Sequence, residues 1–498
     1  MCSPSTDTGW NVDERPDESP ALMRMWICIL TMCLLATGAQ ATKPVATTGI
    51  DAFVEARAES LSDLAGQIWE WAELGYKEQR SSALLQTSLQ EAGFRLQTGV
   101  AGIPTAFIAE YGQGKPVIAL LAEFDALPGM SQTASPHRTP RAEDAPGHAC
   151  GHHLFGAGSV GAALAVADWL KRTGMQGTIR LYGTPAEEGG SGKVYMVRAG
   201  LFDDADLALH WHPRDRNAAW AATTLANKSA KFRFHGISTH AAAAPERGRS
   251  ALDGVEAMNH MVNLLREHVP QETRIHYVIT HGGAAPNIVP DFAEVFYYVR
   301  HPQVARLQKI WARVEAAAEG AAMGTGTQVE HEVIHGNYNV LPNETLARLM
   351  HEHLLQVGGV TYDEAEMAFA ESLRATLGDV DLDLTSATQI QPYRLDHGKA
   401  STDVGDVSWA LPTTGLVTAT WVPGTAAHSW QAVACGGTSI GHKGMLVATR
   451  TLAHAVVSIF QNPAVIVTAR EEWARRRGAD FDYKPLLGDR QPPLDYRD

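Results

Sequence analysis

The spacing of hydrophobic residues along the chain predicts an alternation of helices and strands. Between residues 47 and 93, leucine, isoleucine and tryptophan recur at helical spacing, which predicts two amphipathic helices. Beyond them, apolar runs predict buried strands at residues 117–121, 178–182 and 206–210, with a helix of small residues at 155–171. Strand–helix–strand alternation is typical of an α/β fold with a largely parallel sheet flanked by helices.

The pattern changes near Asn227 and changes back near Asn337. Between these positions the sequence predicts alternating strands at 231–235, 276–280 and 294–300, and helices at 250–267 and 304–322. Alternating strands with one exposed face indicate a smaller, open-faced α+β domain. We therefore predict that residues 227–337 are inserted between two parts of the larger domain, residues 42–226 and 338–469. The charged, proline-containing residues 470–498 predict a surface tail.

The first 41 residues do not fit a globular pattern. Met23-Arg24-Met25 precedes a short apolar run, residues 26–35, and Ala39-Gln40-Ala41 follows it. A basic start, an apolar core and an Ala-x-Ala end are typical of a secretory signal peptide, and the run is short for a membrane span. We predict cleavage near Ala41 and a periplasmic or secreted protein without a stable membrane anchor. A transmembrane anchor or a buried helix is the alternative, and translation is expected to start at Met23 or Met25.

Composition narrows the range of functions. Lysine and arginine number 41 against 55 aspartate and glutamate residues, a formal net charge of −14. This acidic balance argues against nucleic acid as the main partner, since binding to phosphates requires a basic face, and we expect no nucleic acid partner. Of the five cysteines, only Cys150 and Cys435 would remain after signal cleavage. Two cysteines so far apart form no disulfide framework, and each needs its own explanation.

Several metal-compatible residues stand at the ends of predicted elements. Cys150 and His152 flank Gly151 just before the small-residue helix, a spacing that lets a thiolate and an imidazole reach one metal from a turn. Glu187 and Glu188 follow the second predicted strand. Adjacent carboxylates are electrostatically costly unless a cation neutralises them. One carboxylate can bind the metal while the other accepts a proton from water.

Two histidine segments extend this pattern. His210 and His212 end the third predicted strand with the same parity, so periodicity alone cannot choose between them. His428 lies in a loop at residues 423–429. Each histidine alone is more often a structural or surface residue, but several segments that each carry a metal-compatible residue indicate a metal site.

Two other motifs match functional patterns in their letters but lack the surrounding sequence that those patterns require. Residues 437–441 match the G-x-S-x-G nucleophile elbow in letters, but no clear apolar strand precedes them. Residues 189–193 are similar to a phosphate-binding loop, but position 187 is glutamate where that loop begins with glycine. We therefore expect neither a serine hydrolase nor a phosphate-binding loop.

The ordered set of motifs resembles the two-metal aminoacylase and carboxypeptidase family, and within it the amidohydrolase branch that contains hippurate hydrolase and auxin-conjugate hydrolases. The resemblance extends from about residue 47 to residue 459. The strings that carry it start at Glu123 (EFDALPGMSQ), His148 (HACGH), Pro185 (PAEEGG), Gly200 (GLFDD), Trp211 (WHP) and Ser401 (STDVGDVSW). It implies a catalytic domain that holds two divalent metal ions and an inserted lid, or dimerisation, domain.

Carried over by position, the resemblance implies five metal ligands. These are Cys150, His152, Glu188, His212 and His428. His212 is preferred over His210 because residues 200–204 fix the register. Glu187 matches the general base, and Asp125 matches an aspartate that supports the metal site.

Further matches lie on the inserted domain. His240 matches a lid histidine that stabilises the oxyanion across a dimer, and Asn287 matches a substrate-side asparagine. Apart from the resemblance, Arg300 and Arg247 are candidates on the lid for binding a substrate carboxylate, although each is more often an ordinary surface charge. The sequence departs from the auxin-conjugate hydrolases at His153, where they have aspartate.

The resemblance implies a metal-dependent amidohydrolase that cleaves N-acyl amino acids, of the p-aminobenzoyl-glutamate or dipeptide kind, to a carboxylic acid and a free amino acid. Glu187 would take a proton from the attacking water and deliver it to the leaving amine. Thiolate and imidazole ligands favour Zn²⁺, with Mn²⁺ or Co²⁺ as alternatives. The expected assembly is a homodimer or a heterodimer with a related subunit through the lid. The alternative function is a non-catalytic subunit that depends on such a partner.

Overall fold

The computed structural model describes residues 49–380 and 382–497, and the predicted signal peptide lies outside them. The α-helices of this part of the chain are α1 (Ile50–Glu55), α2 (Ala58–Trp71), α3 (Gln79–Glu91), α4 (His152–Thr173), α5 (Glu187–Gly190), α6 (Gly192–Arg198), α7 (Ala251–Leu265), α8 (Val304–Thr325), α9 (Glu344–Val357), α10 (Glu364–Arg374), α11 (Val404–Ala410), α12 (Trp430–Gly436), α13 (Ser439–Gln461) and α14 (Ala464–Arg477). The strands are β1 (Arg95–Thr98), β2 (Phe107–Gln113), β3 (Val117–Ala122), β4 (Gly177–Gly183), β5 (Leu207–Arg214), β6 (Ala218–Trp220), β7 (Ala222–Thr223), β8 (Ala226–His235), β9 (Arg274–His281), β10 (Phe292–His301), β11 (Gln328–Asn337), β12 (Asp396–His397) and β13 (Thr413–Ala419).

The larger sheet has seven strands in the order β1-β2-β4-β3-β5-β13-β6. Its four central strands, β4, β3, β5 and β13, run parallel, while β2 pairs antiparallel with β4 and β6 pairs antiparallel with β13. Strand β3 is buried at every residue, as expected for a parallel strand with helices on both faces of its sheet. The prediction of a largely parallel sheet flanked by helices is confirmed.

Helix α4 lies in the middle of the larger core. It is long and apolar enough to span a membrane, but 89% of its apolar window is buried inside the protein, as in the core helix of a globular domain. It begins at His152, three residues before the predicted start. The core therefore fixes the backbone next to the candidate ligands Cys150 and His152.

The inserted segment forms a second, four-stranded sheet in the order β11-β8-β10-β9, and all its strands are antiparallel. Helices α7 and α8 bury Phe232, Phe234 and Val295 in a hydrophobic core separate from that of the larger sheet. The strands and helices that the sequence predicted within 227–337 all occur. We call residues 227–337 the lid.

Three expectations need correction. Residues 47–93 contain three helices, because a turn at Ala56 and Arg57 separates α1 from α2. The strand predicted at 206–210 continues to Arg214 as β5. Residues 470–498 are not a surface tail, because α14 extends to Arg477 and both Leu486 and Leu487 are buried. The surrounding charges and prolines mask this apolar pair when composition is averaged over the segment.

Candidate metal centre

Four neighbouring parallel strands direct the candidate residues to one edge of the larger sheet. Glu123 follows β3, Glu187 follows β4, His212 lies near the end of β5, and His428 comes after β13. Ligands of open α/β sheets bind outside the carboxyl ends of the strands. The strand order thus brings together residues that are far apart in sequence.

The turn before α4 holds the first two donors. Gly151 has a φ of 77°, and a Cβ at this position would lie 2.7 Å from the side chain of Pro213. Glycine therefore fits both the left-handed backbone and the close approach to β5. Cys150 and His152 flank this glycine, so the turn presents both side chains to the end of β5.

Two groups of potential metal donors share Cys150. The first contains Cys150, His152 and His212, and the second contains Cys150, Glu188 and His428. Within each group the donor atoms lie within 4.8 Å of one another. The Cys150 Sγ atom is 3.5 Å from His212 Nε2, and His428 Nε2 is 3.0 Å from Glu188 Oε1. This arrangement fits a site for two cations held a few ångströms apart.

The ring nitrogens of two histidines are oriented for metal binding. His212 Nδ1 lies 2.8 Å from the carbonyl oxygen of Pro213. His152 Nδ1 lies 2.9 Å from Asp125 Oδ1. A proton on Nδ1 of His212 leaves its Nε2 with a lone pair that faces the donor cluster, the tautomer that such outer partners select in metal sites. Against the effect of burial, Cys150, Glu123 and Asp125 raise the pKa of His152 well above its usual value, and a bound cation would displace the proton from its Nε2. Burial, reinforced by Arg214 and His152, holds the pKa of His212 well below its usual range, so this ring is neutral.

A left-handed backbone places His428. Its φ is 58°, and its backbone N–H donates to the carbonyl oxygen of Ala149 at 2.9 Å. Non-glycine residues with such backbone angles are concentrated at functional sites. The side chain of His428 is half exposed, and hydrogen bonds to Cys150 and Glu188 raise its pKa to about 10.

Glu123 has no predicted role, although it begins one of the strings that carry the resemblance. Glu123, His152 and Glu187 form a third group of closely spaced donors. Glu123 Oε2 is 3.1 Å from His152 Nε2, and neither atom has a hydrogen bond among the described residues. Burial raises the pKa of Glu123 although Lys193 and His152 oppose the shift.

Lys193 is a second residue that the sequence analysis missed. Its ammonium group is fully buried and lies 2.6 Å from Glu123 Oε1 and 2.8 Å from Asp403 Oδ1. Asp403 also accepts the backbone N–H of Lys193 at 2.9 Å. Both residues of this ion pair lie in motifs visible in the sequence. Lys193 ends the string that we compared with a phosphate loop, and Asp403 lies in STDVGDVSW. Lys193 neutralises part of the negative charge that collects at this end of the sheet.

Glu187 has an unusual electrostatic environment. Burial raises its pKa well above the ordinary value, and the negative charges of Glu123, Glu188 and Asp403 add to the shift, while His152 opposes it. A buried carboxylate whose pKa is raised by neighbouring charges at the end of a sheet is a candidate for general acid–base catalysis.

His210 and His153 point away from the donor cluster. The ring of His210 packs against Gly415 and Trp220, and burial lowers its pKa to about 3. His153 Nε2 lies 3.0 Å from the carbonyl oxygen of Gly436, and its ring lies beside that of His148. The departure at His153 therefore affects the packing under α12 and not the set of donor atoms.

The lid candidates lie apart from the donor cluster within one chain. The backbone N–H of Ala241 donates to the carbonyl oxygen of Asn287 at 3.0 Å, which places His240 and Asn287 side by side in the lid. His240 Nδ1 accepts the N–H groups of Ala242 and Ala243, both at 3.2 Å. Its Nε2 therefore carries the proton and faces outward as a donor.

The two lid arginines differ in their surroundings. Arg247 is highly exposed, and its ion-pair partner among the described residues is its neighbour Glu246 at 4.0 Å. Arg300 lines a cavity of about 800 Å³ between the lid and the larger domain, together with Arg274, Arg306 and Lys399. The Nε atom of Arg300 is buried without a hydrogen-bond partner in the described part of the chain. The cavity is cationic in a protein that is acidic overall.

The structure also shows that the G-x-S-x-G string is not a nucleophile elbow. Helix α12 precedes residues 437–441, and Ser439 begins α13. A nucleophile elbow requires a strand before the serine. The local fold therefore excludes the serine-hydrolase interpretation.

Comparisons with known proteins cover both domains. A family model described as a peptidase dimerisation domain matches residues 226–326. The chain is 42% identical to one of the subunits of p-aminobenzoyl-glutamate hydrolase of Escherichia coli (strain K12), over 85% of this chain and 94% of that protein. It is 29% identical to Xaa-Arg dipeptidase of Mus musculus, over 84% of this chain and 90% of that protein. A solved structure, a dinuclear metal binding peptidase from the M20 family of Bacillus subtilis, matches with a TM-score of 0.55 and 20% identity, over 82% of this chain and 99% of that one.

Proposed function

Since the chain belongs to the M20 family of peptidases and amidohydrolases, and is thus a hydrolase of C–N bonds, we propose that it cleaves the amide bond of an N-acyl amino acid to a carboxylic acid and a free amino acid. The observation that carries this proposal is the position of Glu187 beside two donor groups that share Cys150. A proton-accepting carboxylate next to two cation sites is the arrangement that metal-assisted amide hydrolysis needs.

We propose two divalent cations per chain, with Zn²⁺ as the native metal and Mn²⁺ or Co²⁺ as the alternatives. The donor chemistry supports this choice, because a thiolate and imidazole nitrogens are ligands that suit zinc. Buried atoms such as His152 Nε2 and Glu123 Oε2, which have no hydrogen bond among the described residues, also fit a cation. When bound, the cations would polarise the amide carbonyl and acidify the attacking water.

Each candidate residue has a separate task in this proposal. Cys150, His152, Glu188, His212 and His428 hold the cations. Glu187 takes the proton of the attacking water and returns it to the leaving amine. Asp125 orients His152 and carries negative charge, since the interaction with His152 lowers its pKa despite burial.

We assign oxyanion stabilisation to His240 of a partner lid. Within one chain, the hydrogen bonds of His240 among the described residues join it to other lid residues only. Its outward Nε2–H can donate to the oxygen on which negative charge develops. Asn287, its neighbour in the lid, is placed to contact the same substrate.

The lid has one open edge that fits a partner. Strand β9 is an edge strand, and Val278 is 56% exposed on it. At the opposite edge, Arg490 binds the carbonyl oxygens of Val333 and Ile334 in β11 and so covers that part of the edge. An exposed apolar edge strand is a template for pairing with another chain. We propose that two lids pair along β9, in a homodimer or with a related subunit.

The cationic cavity indicates what the substrate carries. Arg300, Arg306 and Lys399 have no carboxylate partner among the described residues, while Glu272 is the one carboxylate among the lining residues. Both Arg300 and Glu188 shift the pKa of the buried His335, so His335 is near both the cavity and the donor cluster. We propose that Arg300 binds a free carboxylate of the amino-acid half, as in p-aminobenzoyl-glutamate or a dipeptide.

Export to the periplasm or the medium is a separate proposal, supported by the signal-like residues 23–41. N-terminal sequencing of the chain recovered from a periplasmic extract tests it. A mature start near residue 42 supports export, and an intact N-terminus in the cytoplasmic fraction contradicts it.

The first experiment is to purify the chain without chelator and to measure metal per chain and hydrolysis together. The substrates are p-aminobenzoyl-glutamate, a panel of N-acyl amino acids and dipeptides. We expect about two metals per chain and release of a free amino acid. Metal without turnover, with turnover restored by a related subunit, would support the partner-dependent alternative. A purified protein with no bound metal and no turnover would overturn the proposal.

A further inference from the structure

Residues 478–497, which we call the strap, connect the two domains after the last helix. Leu486 is 6% exposed and belongs to the hydrophobic core of the lid. Leu487 is 4% exposed and belongs to the core of the larger domain. Two adjacent side chains are therefore anchored in two separate cores, which fixes the strap to both domains.

Polar contacts hold the strap on both sides of these leucines. The Arg490 guanidinium donates to the carbonyl oxygens of Val333 at 2.6 Å and Ile334 at 2.9 Å in the lid strand β11. On the larger domain, Arg198 of α6 donates to the carbonyl oxygens of Gly488 at 2.8 Å and Arg490 at 2.7 Å. These are charge-assisted hydrogen bonds to backbone, so they define the path of the strap and not merely its proximity.

The end of the strap reaches the candidate catalytic residues. The Tyr496 hydroxyl donates to the carbonyl oxygen of Glu188 at 3.1 Å, and Arg497 Nη2 donates to the same oxygen at 2.5 Å. The Tyr496 ring packs edge-on against Tyr76 with ring centres 5.5 Å apart, and Tyr76 donates to the carbonyl oxygen of Gly190 at 2.6 Å.

A glycine creates the space for this contact. A Cβ at Gly75 would lie 2.3 Å from the Tyr496 hydroxyl and 2.9 Å from Ala186 Cβ. Tyr496 thus occupies a close-fitting position between the segment after α2 and the turn that carries Glu187. The close approach shows that its docking is specific and not a loose surface contact.

The turn that carries Glu187 and Glu188 requires external support. Its flanking residues Ala186 and Ser191 have φ values of 57° and 61°, in the left-handed region that side chains disfavour. Such backbone angles are unfavourable for residues with a side chain and persist only where the surroundings over-determine them. The N–H of Ala186 is bound by Glu78 and that of Glu188 by Asp125, which secures the turn from one side. The strap secures the turn from the other side, through the carbonyl oxygen of Glu188.

We propose that Tyr496 and Arg497 are positioning residues for the reaction, which act by fixing the Glu187–Gly190 turn through the carbonyl oxygen of Glu188. The strap thereby links the position of the lid to the geometry of the two glutamates. The prediction for turnover rests on the proposed function. The prediction for backbone protection does not.

The test compares the Tyr496→Phe/Arg497→Ala double variant with the full-length chain by hydrogen exchange and by steady-state kinetics. We expect amides of residues 186–192 to exchange about tenfold faster or more, because local opening becomes easier. We expect kcat to fall about 10- to 100-fold with little change in KM, since a misplaced catalytic group affects the reaction more than binding. The control is Arg475→Ala, which removes an exposed arginine of α14.

A second pair of variants separates positioning from general stability. Arg497→Lys keeps a donor and should restore part of the protection and of kcat that Arg497→Ala loses. Arg490→Ala should increase exchange both in β11 and in residues 186–192. Unchanged exchange in residues 186–192 in the double variant, or an effect of Arg490→Ala confined to β11, would overturn the proposal. Loss of exchange protection in a chain without any measurable activity would contradict the proposed function, while it would still support the fixing of the Glu187–Gly190 turn by the strap.

Discussion

Asp125 and His152 are joined by a hydrogen bond of 2.9 Å between Oδ1 and Nδ1. The second oxygen of Asp125 accepts the backbone N–H of Glu188, also at 2.9 Å. One buried carboxylate therefore orients an imidazole at the start of α4 and the turn after β4. The two donor groups that share Cys150 are thus aligned by a residue that belongs to neither.

Glu187→Gln should abolish most turnover while metal binding is retained. The amide keeps the shape of the side chain but cannot accept the proton of the attacking water, and general acid–base catalysis contributes about 10²- to 10⁴-fold. The measurements are kcat and metal per chain by elemental analysis. Glu471→Gln, on an exposed face of α14, is the control. A near-normal rate in a metal-replete Glu187→Gln enzyme would rule out this role.

Cys150→Ala should weaken metal binding, and Cys435→Ala should not. Both cysteines are buried and free, but only Cys150 lies among the donor groups. Loss of a shared donor should cost more than the roughly 10- to 100-fold in affinity that loss of a supporting residue costs. Titration of the metal-free protein with Zn²⁺ measures the difference. Equal affinities in the two variants would show that Cys150 is only a packing residue.

Arg300→Ala should raise KM for substrates with a free carboxylate. A hydrogen bond to a charged group contributes about 1.5–3 kcal/mol, which corresponds to about a 10- to 100-fold change. Arg313→Ala is the matched control, because it removes an exposed lid arginine of α8 that lies outside the cavity. The comparison uses an N-acyl amino acid and its amide. Equal KM ratios for the acid and the amide in wild type and Arg300→Ala would contradict this assignment.

Val278→Lys should convert dimers into monomers. A charge on the open edge of β9 opposes pairing of the apolar strand with another chain. Met323→Lys is the control, because Met323 is 86% exposed at the end of α8 rather than on the edge strand. Light scattering coupled to size-exclusion chromatography measures the mass. A dimer that persists in Val278→Lys would place the interface elsewhere.

Asp406→Asn should increase stability more at pH 7.5 than at pH 5. Asp406 is buried, and burial raises its pKa to about 7 although Tyr483 and the backbone N–H of Tyr338 donate to it. Between the unfolded value near 4 and about 7, the folded chain retains a proton that the unfolded chain releases. Stability therefore falls with rising pH by up to about 1.4 kcal/mol per pH unit. Asparagine removes this dependence.

Thermal midpoints at the two pH values measure the effect. Asp379→Asn changes an exposed carboxylate and serves as the control, with no difference expected between the two pH values. A variant whose advantage is the same at pH 5 and pH 7.5 would show that Asp406 is ionised in the folded protein throughout this range.

The fold was largely predictable because its strands are marked by local patterns. Buried runs such as β3 and the alternating strands of the lid differ in periodicity, and periodicity reports which faces are buried. The start of α4 and the extension of β5 to Arg214 depend on packing against distant residues, so the local pattern did not contain them. The burial of Leu486 and Leu487 was missed for the same reason.

The candidate site was predictable only in part. His210 and His212 have the same parity in β5, and the choice between them came from the resemblance, not from the spacing. Nothing local distinguishes Lys193 from a surface lysine, because its partners Glu123 and Asp403 come from distant segments. The contact of Arg497 with Glu188 spans 309 positions of sequence and carries no pattern at all.

The insertion of the lid also determines the order in which the protein can fold. All four strands of the lid sheet precede β13 in sequence. In the larger sheet, β5 can pair with its neighbour β13 only after β13 has been synthesised. During synthesis, which proceeds from the N-terminus, the lid can complete its sheet while the larger sheet still lacks an inner strand. The pairing of β5 with β13 spans roughly two hundred residues, and non-local pairing of this kind is slow. The nascent chain therefore passes through a stage in which the lid sheet is complete, the larger sheet is not, and Leu486 has yet to join the lid core.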